Sequence, residues 1–234
     1  MSPSQPGETL HCAGVTARLD GRDVLHEVTL DLDARTIAVI GDNGSGKSTF
    51  ARVVAGLVPR STGALEVLGV DPARDATTHR RRTALVLSNP DAQIVMPVVS
   101  DDVAFSLRPE RLAKPERAAR VAAALERFGL SDLAERPSSD LSGGQKQLLA
   151  LCGAFVRNPA LVIADEPTAL LDARNARRIA DHLLADGGHR ALVVTHDLAL
   201  ARRCEAAVLF ADGRVVATGA ASGIVDRYEE SLSC

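Results

Sequence analysis

The sequence predicts an α/β fold in which helices cover both faces of a largely parallel sheet. Three observations support this prediction. Short apolar runs at 36–40, 161–164 and 191–195 are typical of strands that are buried on both faces. A helical pattern separates the last two runs, as a parallel crossover requires. Helical sequence from about 100 to 157 interrupts the strands, which indicates a helical insertion in the sheet.

An antiparallel hairpin is predicted ahead of this sheet. Residues 13–33 alternate around Asp20-Gly21, a dipeptide that favours a hairpin turn. After the strand at 36–40, apolar residues recur at helical spacing in Phe50, Val53, Val54 and Leu57. A helix is therefore expected there, and Pro59 should end it.

Two further helices are predicted after an apolar strand at 83–87. In the first, Pro115 suits the first turn and Gly129 suits the end. Its expected buried face consists of Val121, Leu125 and Phe128. The second helix should begin near Ser142, and its expected buried face consists of Leu148, Cys152, Phe155 and Val156.

Composition excludes several classes of protein. The 234 residues fit one large domain or one compact two-lobed unit. A net charge of −3 provides no polycationic surface, so no nucleic-acid partner is expected. No apolar run approaches the roughly 20 residues that span a bilayer, and the first residues lack the pattern of a secretion signal. The four cysteines, Cys12, Cys152, Cys204 and Cys234, are too scattered to predict a zinc site or a disulfide framework.

Residues 41–49 carry the motif GxxxxGK[ST] between a predicted strand and a predicted helix. The candidate nucleotide-binding residues are Gly41, Asp42, Asn43, Gly44, Ser45, Gly46, Lys47, Ser48 and Thr49. Glycines let backbone amides turn toward phosphate oxygens, and the helix N-terminus adds positive potential. Lys47 is expected to reach the β- and γ-phosphates of ATP, and the Ser48 hydroxyl to bind Mg²⁺.

Two consecutive carboxylates, Asp165 and Glu166, end the apolar run at 161–164. In doubly wound sheets this end of a strand faces the ligand. Asp165 is expected to hold Mg²⁺ through water, and Glu166 to polarise the attacking water. An acidic strand end followed by a proline turn would have the same letters, but the P-loop upstream favours the catalytic interpretation.

A third motif, LSGGQ at 141–145, stands at a predicted helix start. Ser142 suits the cap of that helix, and Gly143 and Gly144 expose backbone amides to an anion. By itself the motif indicates only a flexible helix entry. Its position after the P-loop and before the Asp-Glu pair and His196 is much more specific.

In this order the motifs resemble the nucleotide-binding domain of ABC (ATP-binding cassette) proteins over essentially the whole chain. The resemblance implies a P-loop NTPase with a mixed sheet core, an N-terminal antiparallel β-subdomain and an inserted α-helical subdomain. It implies one domain over 1–234, with a catalytic core at about 10–95 and 158–234 and a helical subdomain at about 96–157.

The resemblance also implies a dimer that sandwiches two ATP molecules. The signature residues of one copy, Ser142, Gly143, Gly144 and Gln145, would act on the nucleotide held by Lys47 of the other. A second ABC ATPase, identical or different, is therefore an expected partner. His196 would be a switch histidine near the γ-phosphate, and 169–172 would form the D-loop.

Two positions depart from this family pattern. Ser88 stands where a glutamine usually contacts Mg²⁺ and senses the membrane subunit, and Gln93 follows five residues later. Either Ser88 reaches the metal through water or Gln93 compensates. Leu19 is the best match for an aromatic residue that usually stacks on adenine, so weak base selectivity is expected.

The segment 88–95, SNPDAQIV, resembles the QNPDxQ segment of ATPases from energy-coupling-factor (ECF) importers of vitamins and metal ions. The stretch 101–105 resembles the same group. This implies integral membrane subunits as partners and a peripheral location at the cytoplasmic face of the membrane. The general pattern is most similar to the biotin importers, with cobalt, nickel or another vitamin as alternative cargo.

Other functions fit this sequence less well. Non-transport ABC ATPases of chromosome maintenance carry long coiled coils between the P-loop and the signature, and no sustained heptads occur here. A non-hydrolysing regulator is disfavoured by Glu166 and His196, although Ser88 leaves it open. Apolar residues after Gln93 predict a partly exposed loop that receives a helix of a membrane subunit; the alternative is a loop packed on its own core.

Overall fold

The computed structural model describes residues 9–232. The strands are β1 (Leu10–Leu19), β2 (Arg22–Leu32), β3 (Thr36–Gly41), β4 (Arg60–Val67), β5 (Thr83–Val86), β6 (Leu161–Asp165), β7 (Arg190–Val194), β8 (Ala206–Ala211) and β9 (Arg214–Ala220). The helices are α1 (Lys47–Val54), α2 (Ala76–Arg82), α3 (Val99–Ser106), α4 (Lys114–Phe128), α5 (Gly143–Phe155), α6 (Ala173–Leu184), α7 (Leu198–Arg202) and α8 (Ala221–Leu232).

The strands form two sheets. An antiparallel sheet has the order β2-β1-β4, and a mixed sheet has the order β5-β6-β7-β3-β8-β9. Within the mixed sheet, five neighbouring strands run parallel to one another: β5, β6, β7, β3 and β8. The last strand, β9, pairs antiparallel with β8. The predicted mixed α/β fold is therefore confirmed, including the hairpin of β1 and β2 around Asp20-Gly21.

The strand order decides where the site lies. β7 separates β3 from β6 in the mixed sheet, so the three strands that precede the P-loop, the acidic pair and His196 are neighbours. Parallel neighbours end at the same edge of a sheet, and ligands of doubly wound sheets bind outside that edge.

Apolar packing fixes the elements around this edge. Phe50 of α1 packs on Phe210 of β8 with ring centroids 5.0 Å apart. A second core joins α3, α4 and α5 to β5, β6 and α6. It contains the predicted buried faces of α4 and α5, and the expected cap positions of Gly129 and Ser142 are confirmed.

The expectation that α1 includes Leu57 and is ended by Pro59 is wrong. α1 ends at Val54, and Leu57 lies beyond it with 63% of its surface exposed. Gly56 adopts a φ of 71°, and the Leu57 amide donates to the carbonyl of Arg52, so the chain turns before the leucine. Apolar spacing alone does not reveal such a turn.

Sequence patterning also missed β4 and α8. β4 is exposed along most of its length, so it lacks the apolar alternation that marks a half-buried strand. Within residues 9–232, no helix is both long and apolar enough to traverse a membrane. Cys12, Cys152 and Cys204 are buried thiols whose pKa burial raises to about 12, and Cys234 lies outside the described residues.

Candidate nucleotide-binding and catalytic site

The P-loop joins β3 to α1, and its backbone requires glycine. Gly41 has a φ of 135°, and a Cβ added to it would lie 2.1 Å from the carbonyl oxygen of Phe210. Gly44 and Gly46 also have positive φ, with Gly46 directly before α1. These conformations favour glycine and turn backbone amides toward the concave side of the loop, where an anion fits.

Lys47 is buried within this loop. Its Nζ donates to the carbonyl oxygens of Gly41 and Asp42, both at 2.7 Å. Burial lowers the pKa of Lys47, and the carboxylates of Glu166, Asp42 and Asp165 counteract that effect. The ammonium group is thus held by carbonyl oxygens of the loop, and the three carboxylates favour its charged form.

Ser48 joins the P-loop to the acidic strand end. Its hydroxyl donates to Oδ1 of Asp165 at 2.8 Å, although the two residues are 117 positions apart. Asp165 is the buried last residue of β6. In the P-loop itself, the Ser45 hydroxyl is buried and has no hydrogen-bond partner among the described residues. Serine and carboxylate oxygens suit Mg²⁺, and an unpartnered hydroxyl beside the loop suits a phosphate oxygen.

Glu166 and His196 are neighbours. Oε2 of Glu166 lies 2.8 Å from Nδ1 of His196 and 3.3 Å from its backbone nitrogen. Glu166 has a φ of 50°, and its amide donates to the carbonyl of Val194 on β7. This left-handed conformation at a strand end gives the carboxylate its direction, and such strained positions cluster at functional sites.

The signature segment begins α5. Ser142 and Gln145 form a capping box, in which each side chain accepts a hydrogen bond from the backbone of the other. A Cβ added to Gly144 would lie 2.6 Å from the Asn175 amide, which donates to Asp172 at 2.7 Å. Asn175 therefore fills the space that a larger residue at 144 would need.

The remaining predicted residues lie where the motifs place them. Asn43 is exposed on the P-loop, Thr49 is buried in α1, and Gly143 is exposed with open space around it. Among the described residues, no hydrogen bond joins 141–145 to 41–49. The signature and the P-loop of one chain are therefore not brought together by direct hydrogen bonds.

Gln93 is a bridge between the sheet and the helices. Its Oε1 accepts from the Leu87 amide at 3.1 Å, and its Nε2 donates to the carbonyls of Leu85 and Ala150, both at 3.3 Å. Ser88 is exposed. The amide of Gln93 is thus committed to backbone groups of β5, the following loop and α5.

Two further side chains of α5 hold the same loop. Gln147 donates to the carbonyl of Leu87 at 3.1 Å, and Nζ of Lys146 lies 2.7 Å from Asp91. Both residues directly follow the signature, so these contacts connect the loop at 87–93 to the start of α5. Leu19, the expected adenine contact, is half-buried at the end of β1, and its role stays a prediction.

Sequence reasoning missed three residues of this region. Gln147 and Asn175 were not singled out because their partners are remote in sequence. Tyr228 of α8 was missed with its helix, and its hydroxyl donates to Oδ1 of Asp42 at 2.7 Å. Ile224, Val225 and Tyr228 at helical spacing are the signal that could have found it.

Comparisons with known proteins agree with this geometry. The family model described as ABC transporter matches residues 25–169. The biotin transport ATP-binding protein BioM of Rhizobium etli is 40% identical over 218 residues, covering 93% of this chain and 96% of that protein. The energy-coupling factor transporter ATP-binding protein EcfA1 of Lacticaseibacillus paracasei is 34% identical over 216 residues, covering 90% of this chain and 78% of that protein.

A solved structure resembles the whole fold. The structure of cbiO1 from Clostridium perfringens, described as part of the ABC transporter complex cbiONQ, superposes with a TM-score of 0.85 at 26% identity. The superposition covers 97% of this chain and 94% of that one.

Proposed function

Because the chain belongs to the ABC transporter family, we propose that this ATPase energises a membrane importer of the ECF type, with biotin as its cargo. Its ATP hydrolysis is coupled to transport, as in that family. The observation that carries the catalytic proposal is the Ser48–Asp165 hydrogen bond, which joins the P-loop to the acidic strand end beside Lys47.

The residues of this junction divide the work of binding ATP. Backbone amides of the P-loop and the ammonium of Lys47 bind the phosphates, and the Ser45 hydroxyl is free to donate to one of their oxygens. Ser48 and Asp165 would hold Mg²⁺. When bound, that ion supplies positive charge that stabilises the β- and γ-phosphate oxygens during transfer.

Glu166 and His196 serve the hydrolytic step. Glu166 orients the attacking water and accepts its proton, because its carboxylate follows directly after Asp165 at the strand end. His196 stands at hydrogen-bond distance from that carboxylate and is largely exposed, so its ring can turn to the γ-phosphate.

The site is completed by a second ABC ATPase, either an identical copy or a related chain. Ser142, Gly143, Gly144 and Gln145 of the second subunit approach the γ-phosphate. The amides of Gly143 and Gly144 in the first turn of α5 provide donors there, since those of Ser142 and Gln145 are used in the capping box. Leu170 in the segment 169–172 supports such an interface, because it is fully exposed and has a φ of 61°. A large apolar side chain in that state gains free energy when a partner covers it.

A groove of about 280 Å³ between β5 and the helices α3 and α5 is the proposed docking groove for a membrane subunit. Its lining includes Leu85, Gln93, Val95, Phe105, Gly153 and Arg157. Val95 and Phe105 are exposed, and they offer apolar contacts to a short amphipathic helix. Docking there places the chain at the cytoplasmic face of the membrane.

Ile94 packs against the helical core, whereas Val95 beside it is exposed. One part of the loop therefore packs on the core of the chain, and another part faces outward, where a partner can contact it. The bonds of Gln93, Lys146 and Gln147 then connect the docking groove to the helix that begins at the signature.

The cargo is tested with the assembled transporter. Membrane subunits that co-purify with the chain are reconstituted with it in vesicles, and uptake of labelled biotin is compared with that of cobalt and nickel ions. We expect ATP-dependent uptake of biotin. Uptake of another cargo would refute biotin but keep the importer, whereas the absence of any membrane subunit would favour a non-transport ATPase.

Val95→Asp is expected to uncouple transport while ATP binding stays nearly intact. A charge in the docking groove disfavours an apolar helix, so cargo uptake per ATP hydrolysed should fall by about tenfold, equivalent to about 1.4 kcal/mol of docking free energy. ATPase rate and vesicle uptake are measured side by side in the reconstituted complex.

Val216→Asp is the matched control, because Val216 is a 44% exposed valine on β9, away from the groove. Gln93→Ala should also uncouple transport, since it breaks the bridge between β5 and α5. If Val95→Asp and Gln93→Ala both transported at the native rate per ATP, the loop would have no coupling role.

A further inference from the structure

Helix α8 reaches the phosphate-binding loop through one side chain. The Tyr228 hydroxyl donates to Oδ1 of Asp42 at 2.7 Å across 186 positions of sequence. Burial, followed by the neighbouring Asp42 carboxylate, raises the pKa of Tyr228 to about 12, so the hydroxyl keeps its proton and remains a donor. The P-loop motif alone does not account for this contact.

The hydroxyl is held in place by the packing of its helix. The Tyr228 ring packs against a core formed by β3, β8, α7 and α8. Ile224 and Val225 of α8 are buried in the same core. An ion pair between Arg202 of α7 and Asp226 of α8, with a distance of 2.6 Å, also joins the two helices. The tyrosine therefore approaches the loop from a fixed support.

Asp42 is an unusual neighbour for a phosphate. Its backbone carbonyl accepts from Lys47, and its carboxylate acts on the charge of Lys47. A carboxylate this close to the site of a triphosphate repels it, because both are negatively charged. A donor that binds the carboxylate from the side of α8 reduces this repulsion and holds the loop.

We propose that Tyr228 is a positioning residue for nucleotide binding, which restrains the Asp42 carboxylate and thereby keeps the P-loop receptive to phosphate. The inference rests on the proposed nucleotide site. Through Tyr228, α8 affects nucleotide binding, although it contributes none of the recognised motifs.

A double-mutant cycle tests the role of the charge. Tyr228→Phe keeps the packed ring and should raise the Kd for magnesium pyrophosphate, measured by calorimetry, by about fivefold, which is typical of one lost hydrogen bond. For ATP hydrolysis the KM should rise with little change in kcat. In an Asp42→Asn background the same substitution should change the Kd by less than about twofold, because the repelling charge is gone.

A purely structural role gives a different result. It would lower the melting temperature of Tyr228→Phe without changing the Kd, or raise the Kd equally in both backgrounds, and either outcome would overturn the inference. Ser231→Ala is the matched control, because it removes the bond from Ser231 to the Tyr228 carbonyl within α8 but keeps the tyrosine hydroxyl. It should bind pyrophosphate like the native protein.

Tyrosine emission provides an independent measurement. Tyr228 is the only tyrosine of the chain and there is no tryptophan, so emission reports this residue alone. Pyrophosphate does not absorb at the excitation wavelength, and we expect it to change the emission of the native protein but not of Lys47→Ala. If Lys47→Ala bound pyrophosphate normally, the nucleotide site itself would be wrong. If Lys47→Ala lost binding while native emission stayed constant and Tyr228→Phe bound normally, only the role of Tyr228 would be wrong.

Discussion

Glu166→Gln is expected to retain ATP binding and to lower kcat for hydrolysis by at least about a hundredfold, the usual contribution of a positioned general base. The amide oxygen of glutamine still accepts the backbone hydrogen bond from His196, so the local geometry is kept. What is lost is the basicity that takes a proton from water. Lys47 and Ser48 are unchanged, so the phosphates are still held.

Bound ATP should then accumulate, and with it the dimer. Size-exclusion chromatography of Glu166→Gln with ATP should show a dimer that the native protein forms only transiently. Glu66→Gln is the matched control, because Glu66 is an exposed glutamate on β4, remote from the site. Hydrolysis by Glu166→Gln at the native rate would show that another group activates the water.

Ser142→Arg is expected to spare ATP binding by the single chain and to abolish turnover, because Ser142 acts on the nucleotide of a second subunit. Loss of the capping box costs about 1 kcal/mol, which α5 tolerates because most of its residues are buried. ATP affinity and ATPase rate are measured on the same preparation. Ser139→Arg is the control for an added arginine, because Ser139 is also an exposed serine and lies just before the signature.

A mixed dimer separates action between subunits from action within one. Ser142→Arg chains keep an intact Lys47, and Lys47→Ala chains keep an intact signature, so a mixed pair contains one complete composite site. If the chains associate at random, equal mixing makes about half of the dimers mixed. Each mixed dimer has one active site out of two, so we expect about a quarter of the native rate, whereas each preparation alone is inactive. If Ser142 acted within its own chain, no site would be complete and mixing would recover nothing.

Much of the fold is readable from local pattern, and particular residues show why. The run at 161–164 is wholly apolar because β6 is buried on both faces, and Asp165 follows because the strand ends at the site. Ser142 at a helix start and Gly129 at a helix end can be predicted, because helix caps favour these residue types. The mistake at Leu57 has the same origin, since apolar spacing continues after the chain has turned.

The order of the motifs predicted the function more specifically than the composition did. The P-loop, the signature, the acidic pair and His196 are short, contiguous segments whose chemistry depends on backbone shape and on adjacent side chains. The comparisons confirm the ABC family and the ATPase activity drawn from them. The roles of the individual residues and the identity of the cargo stay predictions.

The sequence by itself determined most of the strands, the main buried faces, and the motifs that bind phosphate, because each depends on residues close together in the chain. Only the tertiary structure decided which distant residues meet. Ser48 reaches Asp165 because β3, β7 and β6 are neighbours in the sheet. Gln93 spans from β5 to α5, and Tyr228 reaches Asp42, because packing of separate elements brings them within hydrogen-bond distance. Such contacts depend on three-dimensional order, which has no local signature in the sequence.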